Sequence, residues 1–251
     1  MDNLNKNITK CIVKFLKKEV KKRKAKKLII GISGGIDSAV TAVLAVKSVG
    51  YQKVFGLIIP DYSVTPKTDV NDAVQLATWL KIDYKIIDVG DIKKQILLNA
   101  PKNKLADGNS LVRLRMIYLY HYAAVLGGIV VGTADKSELA LGYFTKYGDG
   151  AVDLQPLGDV YKTEVRSLAK YFWIPDRILD KKSSARLWKG HTAEGELGLS
   201  YEDIDTILQK IEMKSQIKEP ALKRKASIVK RLIERNAHKK EMPIICRIEN
   251  K

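Results

Sequence analysis

Short apolar runs alternate along this chain with longer segments of helical periodicity. The runs at residues 27–30, 53–59, 84–89 and 128–132 are rich in β-branched residues, which is typical of buried strands. Amphipathic spacing predicts helices over about residues 3–24, 70–81, 109–126 and 162–172, and a basic helical part from Tyr201 onward, with a polar loop at 101–108. Strands joined by helices pair in parallel, so the pattern predicts a doubly wound α/β fold with a mostly parallel sheet.

The segment between the first strand and the next helix, residues 31–38, reads Gly-Ile-Ser-Gly-Gly-Ile-Asp-Ser. A glycine-rich turn from a strand into a helix binds phosphate, because its N–H groups are free and the helix start adds about half a positive charge. Asp37 would repel bare phosphate, so it is best explained by a magnesium ion held against the phosphate. The segment matches neither the Walker loop nor the dinucleotide Gly-x-Gly-x-x-Gly pattern.

Ligands in such sheets bind beyond the carboxyl ends of the strands. The loops that follow the predicted strands, after Ile30, Ile59, Val89 and Val131, are therefore expected to line one site.

Composition narrows the class of protein. A chain of 251 residues that is 45% hydrophobic suits one large α/β domain with a small helical extension. The N-terminus is polar and the apolar runs are short, so we expect no signal peptide, no membrane span and a cytoplasmic location. Cys11 and Cys246 have no metal-like spacing, and we expect both to pack in the interior of a protein from a reducing compartment.

The formal net charge of +17 permits nucleic-acid binding, but it suits an enzyme for polyanionic nucleotides equally well. The densest lysine cluster, at residues 17–27, follows apolar residues that recur at helical spacing from Ile8 to Leu16. We interpret this cluster as the solvated face of the first helix and expect no nucleic-acid partner.

Further motifs lie in the second half of the chain: Gly-Asn-Ser-Leu-Val-Arg-Leu-Arg-Met at 108–116, Gly-Thr-Ala-Asp-Lys-Ser-Glu at 132–138, and Phe-Thr-Lys-Tyr-Gly-Asp-Gly at 144–150. Together with the phosphate loop, and in this order, they resemble the motifs of the ammonia-dependent NAD synthetases, which belong to the ATP pyrophosphatase superfamily. The loop alone indicates the superfamily, whereas residues 146–153 narrow the resemblance to this family. It extends to residues 196–201 and 238–240 and so covers nearly the whole chain.

The resemblance implies a Rossmann-like sheet of the adenine nucleotide alpha-hydrolase-like kind, with N- and C-terminal helical extensions. It implies a ligase that forms a C–N bond in the last step of NAD+ biosynthesis. The nicotinate carboxylate of deamido-NAD+ would attack the α-phosphate of ATP with release of pyrophosphate, and ammonia would then displace AMP. This chemistry needs Mg2+ and no covalent nucleophile, and the sequence offers no obvious serine–histidine or cysteine–histidine pair.

The resemblance also implies roles for individual residues. Asp37 and Glu138 would bind Mg2+. The residues expected to bind ATP are Gly31, Ile32, Ser33, Gly34, Gly35, Ile36, Asp37, Ser38, Thr133, Lys162 and Ser184; those expected to bind deamido-NAD+ are Arg113, Lys146, Asp153, His238 and Lys239.

Some positions depart from the family pattern. Ser183 stands where the family usually has a proline, and residues 190–194 read Gly-His-Thr-Ala-Glu instead of Gly-Gln-Thr-Asp-Glu. The second strand is not followed by the arginine that some members use for ATP, so nothing is assigned in residues 61–68.

Alternative functions remain at this point. A tRNA-thiolating enzyme of the same superfamily would suit the basic charge, but it generally needs catalytic cysteines, and Cys11 and Cys246 lie outside every site loop. A glutamine-using enzyme would need a further domain with a nucleophilic cysteine, so free ammonia, or ammonia from a separate partner, is the expected nitrogen source. A nucleotide-binding sensor without catalysis would have no use for Asp37 and Glu138.

We expect a single synthetase domain over residues 1–251. Its parts would be an N-terminal helix at 1–26, a nucleotide-binding α/β core at 27–175, and a loop and C-terminal helical part at 176–251. From the family we also expect a homodimer, with the dinucleotide site close to the subunit boundary.

Overall fold

A parallel sheet of four strands forms the centre of the molecule in the computed structural model, which describes residues 2–248. The strands are β1 (Lys27–Gly31), β2 (Val54–Ile58), β3 (Asp83–Ile86) and β4 (Gly128–Val131), in the order β3-β2-β1-β4. The chain moves outward from β1 to β3 and then returns to the other side of β1 for β4. The strand order therefore reverses between β1 and β4, which is where doubly wound sheets bind ligands.

Eleven α-helices surround this sheet within residues 2–248. They are α1 (Asp2–Lys22), α2 (Ile36–Val49), α3 (Lys67–Trp79), α4 (Gly90–Leu97), α5 (Lys104–Leu126), α6 (Lys136–Leu141), α7 (Lys162–Tyr171), α8 (Asp176–Leu179), α9 (Ala193–Leu197), α10 (Tyr201–Glu212) and α11 (Pro220–Asn236), with short 3-10 turns at Tyr51–Lys53 and Ala237–Lys239.

Most predicted elements agree with these bounds, and the differences have local causes. α5 begins at Lys104 inside the predicted polar loop, because the Asn103 side chain accepts a hydrogen bond from Ala106 N and caps the helix. Polar residues in a first turn look like a loop in sequence. The pattern did not predict α4, which follows a third strand that ends at Ile86 rather than at residue 89.

Helices cover both faces of the sheet, as β1 illustrates. Leu28 and Ile30 point into one core, which is shared with α1, α2 and α7, whereas Ile29 points into a second core against α5. Alternate residues of a strand face opposite sides, so a strand that is apolar throughout must be covered twice. The doubly wound parallel sheet expected from the sequence is thus confirmed.

A third core lies under the C-terminal helices. Tyr201, Ile204 and Val229 are fully buried there between α10 and α11, together with Leu141 from α6. Through α6 this core supports the segment that follows β4, where the candidate site begins.

Both cysteines are exposed, so the prediction that they pack in the interior is wrong. Cys11 neighbours the buried Ile12, but one residue turns the helix by about 100° and places its side chain in solvent. No helix within residues 2–248 has the length and hydrophobicity that a membrane crossing requires.

Candidate active site

A cavity of about 240 Å³ opens at the carboxyl ends of the strands. The segments that follow β1, β2 and β4 line it, as predicted. Among the described residues, those that follow β3 do not contribute. Their place in the lining is taken by α5 and by residues 181–186, from a part of the chain far from any strand.

The phosphate loop supplies one wall of this cavity. Ser33 and Ser38 face each other with their Oγ atoms 3.1 Å apart, and Ser33 Oγ also accepts a hydrogen bond from Gly35 N. Gly34 has φ of +76°, and a Cβ there would lie 2.2 Å from the carbonyl oxygen of Asp69, so only glycine fits. Of the eight predicted loop residues, all except Gly34 line the cavity.

A cluster of charged groups lies beside the start of α2; we call Asp37, Asp135, Glu138 and Lys162 the carboxylate cluster. Lys162 Nζ lies 2.8 Å from Asp37 Oδ1 and 2.9 Å from both Asp135 Oδ2 and Glu138 Oε1. Lys162 and Asp135 have no exposed side-chain surface, whereas Asp37 and Glu138 reach the cavity.

Local sequence explains how α6 holds this cluster. Asp135 is the N-cap of α6 and accepts a hydrogen bond from Glu138 N, while Glu138 Oε2 accepts one from Asp135 N. This reciprocal capping box fixes both carboxylates directly after β4.

The carboxylate cluster carries more negative charge than its single ammonium can balance. Burial raises the pKa of Glu138 to about 8, and the nearby Asp135 adds to the rise while Lys162 opposes it. Burial likewise raises the pKa of Asp135 to about 6. With all three carboxylates ionised the formal charge is −2, and this is the charge that one divalent cation neutralises.

A network of ion pairs lies at residues 181–186. We call Lys181 and Arg186, with their partners Asp69 and Asp72, the basic wall. Arg186 Nε lies 2.6 Å from Asp69 Oδ2, and Lys181 Nζ lies 2.8 Å from Asp69 Oδ1 and 2.7 Å from Asp72 Oδ2. Lys181 Nζ also donates to the carbonyl oxygen of Gly34. The wall is therefore bonded directly to the phosphate loop.

A hydrogen-bonded chain runs behind Ser184, which lines the cavity. Ser184 Oγ lies 3.0 Å from Nδ1 of the buried His191, whose Nε2 lies 2.8 Å from Glu196 Oε2. Tyr143 donates to the same Glu196 oxygen. The sequence offered no obvious serine–histidine pair, and the fold brings this one together from positions seven residues apart. Because Ser184 Oγ also lies 2.6 Å from the carbonyl oxygen of His191, its proton is engaged there, and the arrangement positions Ser184 without activating it.

Arg115 is a cavity residue that the sequence did not single out. Its Nε donates to the carbonyl oxygen of Ile59 and its Nη1 to that of Ala185, so it joins the end of β2 to the 181–186 segment. Burial lowers the pKa of its guanidinium. The only sequence signal was its place in the 108–116 motif, two residues after Arg113.

The remaining predicted site residues divide into two groups. Thr133 lines the cavity, whereas Lys162 is sealed behind Asp37 and Glu138. The residues expected to bind deamido-NAD+ lie outside the lining. Arg113 Nε donates to the Lys146 carbonyl oxygen, and Lys146 Nζ donates to the His238 carbonyl oxygen, so these three form a continuous surface ridge.

Lys239 and Asp153 are held by other partners. Lys239 Nζ donates to the carbonyl oxygens of Gly142 and Phe144, beside the same ridge. Asp153 Oδ2 accepts a hydrogen bond from Val130 N in β4, so its carboxylate is tied to the sheet.

Comparison with known proteins agrees with this geometry. The family model described as NAD synthase matches residues 8–243. This chain belongs to the NAD synthase family. The NH(3)-dependent NAD(+) synthetase of Archaeoglobus fulgidus is 45% identical over 224 residues, which cover 89% of each chain.

Solved structures give the same family. An NMN synthetase from Francisella tularensis superimposes with a TM-score of 0.88 at 35% identity, over 97% of this chain and 99% of that one. An NH3-dependent NAD synthetase from Campylobacter jejuni, solved with a nitrate ion, gives a TM-score of 0.83 at 31% identity over the same shares of the two chains. The resemblance found in the sequence is confirmed, and by family the chain is an NH3-dependent NAD synthetase, a ligase, rather than a tRNA-thiolating enzyme.

Proposed function

We propose that the protein converts deamido-NAD+ to NAD+ with ATP and ammonia, through an acyl-adenylate, and releases AMP and pyrophosphate. The observation that carries the proposal is that the phosphate loop and the two half-buried members of the carboxylate cluster, Asp37 and Glu138, face one cavity. Loop N–H groups suit phosphate oxygens, and the unbalanced carboxylates suit a cation bound to them.

The residues present fit Mg2+, held by Asp37 and Glu138. Residues 2–248 contain no group of three or more side chains placed to hold a metal by themselves. ATP phosphate oxygens and water would therefore complete the coordination, as is usual for magnesium. Mg2+ held by Asp37 and Glu138 would neutralise charge on the phosphate that is attacked.

The chain's own groups have separate roles in this reaction. The N–H groups of residues 33–38 and the hydroxyls of Ser33 and Ser38 would orient the triphosphate. Lys162 holds Asp37 and Glu138 close together, and in this position it acts as a positioning residue. Thr133 and Ser184 would contact ATP from the segments opposite the loop.

Recognition of deamido-NAD+ is assigned to the surface ridge of Arg113, Lys146 and His238, together with Lys239 and Asp153. The cationic ridge suits the phosphates of the dinucleotide, and it lies outside the cavity where ATP would bind. Two nucleotides can thus be bound by separate surfaces of one protein.

A homodimer is part of the proposal, in a cytoplasmic protein. On α5, the helix that carries Arg113, Ile117 is 63% and Val125 is 68% exposed. Apolar side chains in this position suit a subunit contact next to the dinucleotide ridge. A monomeric mass at working concentration, measured by light scattering, would contradict it.

A second substrate is favoured by one observation: the Francisella tularensis relative with a TM-score of 0.88 is described as an NMN synthetase. Its chemistry would be the same amidation on the mononucleotide. The surface ridge distinguishes the two, because only the dinucleotide has a second nucleotide half for it to bind.

The deciding experiment supplies purified protein with ATP and Mg2+. Deamido-NAD+ or nicotinate mononucleotide is added with ammonium or glutamine. NAD+ formed only with ammonium and deamido-NAD+ supports the main proposal, and a preference for the mononucleotide supports the second. ATP cleavage with neither acceptor amidated would overturn both.

A further inference from the structure

Three features contain groups without a role in the proposed reaction: the lysine-lined groove between α10 and α11, the chain of His191 and Glu196 behind Ser184, and the basic wall. No lysine that lines the groove is buried, and the serine chain is closed by its own hydrogen bonds. The basic wall alone combines buried charge, a cavity surface and contact with the phosphate loop.

We propose that Arg186 and Lys181 form the receptor for the β- and γ-phosphates of ATP, and thus for the pyrophosphate that leaves. The inference rests on the proposed ATP chemistry and deepens it. No role was assigned to either residue from the sequence.

The first support is a count of charges. Arg177, on α8, lies 2.6 Å from Asp72 Oδ1 on the outer side and balances that carboxylate. With Arg177 included, three cations share the two carboxylates of Asp69 and Asp72, so the basic wall together with Arg177 carries one formal positive charge in excess. Both of these residues line the cavity, whereas Arg177 does not. A polyanion in the cavity meets an unbalanced cation here.

The second support is the ease with which Arg186 can change partner. Its guanidinium grips Asp69 with two nitrogens, Nε to Oδ2 and Nη2 to Oδ1, the fork geometry that phosphate oxygens also accept. If the Arg186 guanidinium binds phosphate instead, Asp69 remains paired with Lys181, whose Nζ lies 2.8 Å from Asp69 Oδ1. The buried carboxylate, only 3% exposed, is therefore never left unpaired, which would be the costly outcome.

Backbone strain is the third support. Arg186 has φ of +51°, a left-handed conformation that is unfavourable for a residue with a side chain. Such strain persists only where the surroundings enforce it, often at functional sites. Here Arg115 holds the preceding carbonyl oxygen, at Ala185, and Ser184 Oγ accepts from Arg186 N.

The proposal places the α-phosphate beside the carboxylate cluster and the β- and γ-phosphates beside the basic wall. Lys181 meets the phosphate loop at Gly34, and the carboxylate cluster meets it at Asp37 in the first turn of α2. In the adenylation step a nicotinate carboxylate oxygen forms a bond to the α-phosphorus. The bond from that phosphorus to the α–β bridging oxygen breaks, and its electron pair leaves with pyrophosphate. Negative charge thus grows on the group that the basic wall faces.

Pyrophosphate binding tests the proposal without any need for turnover. Wild-type protein, Arg186→Gln, Arg186→Lys and the matched control Arg177→Gln are titrated calorimetrically with magnesium pyrophosphate and, separately, with AMP. Arg177→Gln removes the same charge from the same ion-pair network, but outside the cavity. Thermal melts establish that each variant is folded.

We expect Arg186→Gln to weaken pyrophosphate binding about tenfold or more, since a charge-assisted pair is lost, and to change AMP binding less than about twofold. Arg186→Lys should restore part of the loss, and Arg177→Gln should change either ligand by no more than about twofold. Equal weakening of pyrophosphate and AMP, or unchanged pyrophosphate binding by Arg186→Gln, would overturn the inference. A wild-type protein that binds pyrophosphate but makes no NAD+ would instead contradict the proposed function.

Discussion

The carboxylate cluster and the basic wall are built from similar parts, but the cluster has a formal charge of −2, whereas the wall together with Arg177 has a formal charge of +1. Each has a lysine that contacts the phosphate loop, Lys162 at Asp37 and Lys181 at Gly34. Lys162 is fully buried among three carboxylates, whereas Lys181 is 17% exposed and shares its carboxylates with arginines. Excess negative charge suits a metal cation, and excess positive charge suits phosphate. The difference between the two ends of the loop is thus one of stoichiometry rather than of residue type.

The largest effect is expected at the carboxylate cluster, where Mg2+ is proposed to bind. Asp37→Ala removes a proposed Mg2+ ligand and should reduce pyrophosphate release by about 10³-fold or more, since charge stabilisation of this kind is worth several kcal/mol. Because Asp37 is 20% exposed and Lys162 keeps two carboxylates, the variant should remain folded. Unchanged pyrophosphate release at ordinary magnesium would contradict the assignment, and circular dichroism serves as the folding control.

Loss of the central cation of the carboxylate cluster should mainly affect stability. Lys162→Met leaves the carboxylates facing one another without their ammonium, and removing one partner of a buried ion pair costs about 3–5 kcal/mol. Urea denaturation measures the loss. Added Mg2+ should recover part of it in Lys162→Met, and a Lys162→Met protein as stable as wild type would show that the cluster does not depend on this lysine.

The raised pKa values predict how stability depends on pH. Glu138 has a pKa of about 8 in the folded protein against an ordinary value of 4.5, so its contribution is full at pH below about 4.5 and is lost as pH rises toward 8. Thermal melts of metal-free protein between pH 5 and 8.5 should show this loss in wild type and less of it in Glu138→Gln. Added Mg2+ should also make the melting temperature of wild type less dependent on pH. If the melting temperature fell equally with pH in wild type and in Glu138→Gln, the charge imbalance of the carboxylate cluster would be contradicted.

The smallest effect is expected at the basic wall. Lys181→Met leaves Asp69 paired with Arg186 and Asp72 paired with Arg177, so the free energy of unfolding should fall by only about 1 kcal/mol. Urea denaturation beside Lys162→Met makes the comparison direct. A loss as large as that of Lys162→Met would remove the distinction between the two ends of the loop.

The sequence placed the phosphate loop and the carboxylate cluster much better than it placed the basic wall. The phosphate loop lies between a strand and a helix, and Glu138 follows another strand in a capping box, so local pattern places both. Arg186 pairs with Asp69 across 117 positions, and Lys181 pairs with Asp72 across 109. Such pairs have no periodicity or spacing, and charged residues in a loop are usually solvated, so only the folded chain reveals them.

The two oxygens of Glu138 have separate tasks: Oε2 caps α6, and Oε1 contacts Lys162 at the cavity wall. One side chain thereby both caps the helix and presents a carboxylate oxygen at the cavity wall. Glutamine at this position would keep a capping oxygen and lose the charge, and aspartate would be one methylene too short to reach both partners. Few substitutions at residue 138 can therefore keep both the cap of α6 and the contact with Lys162.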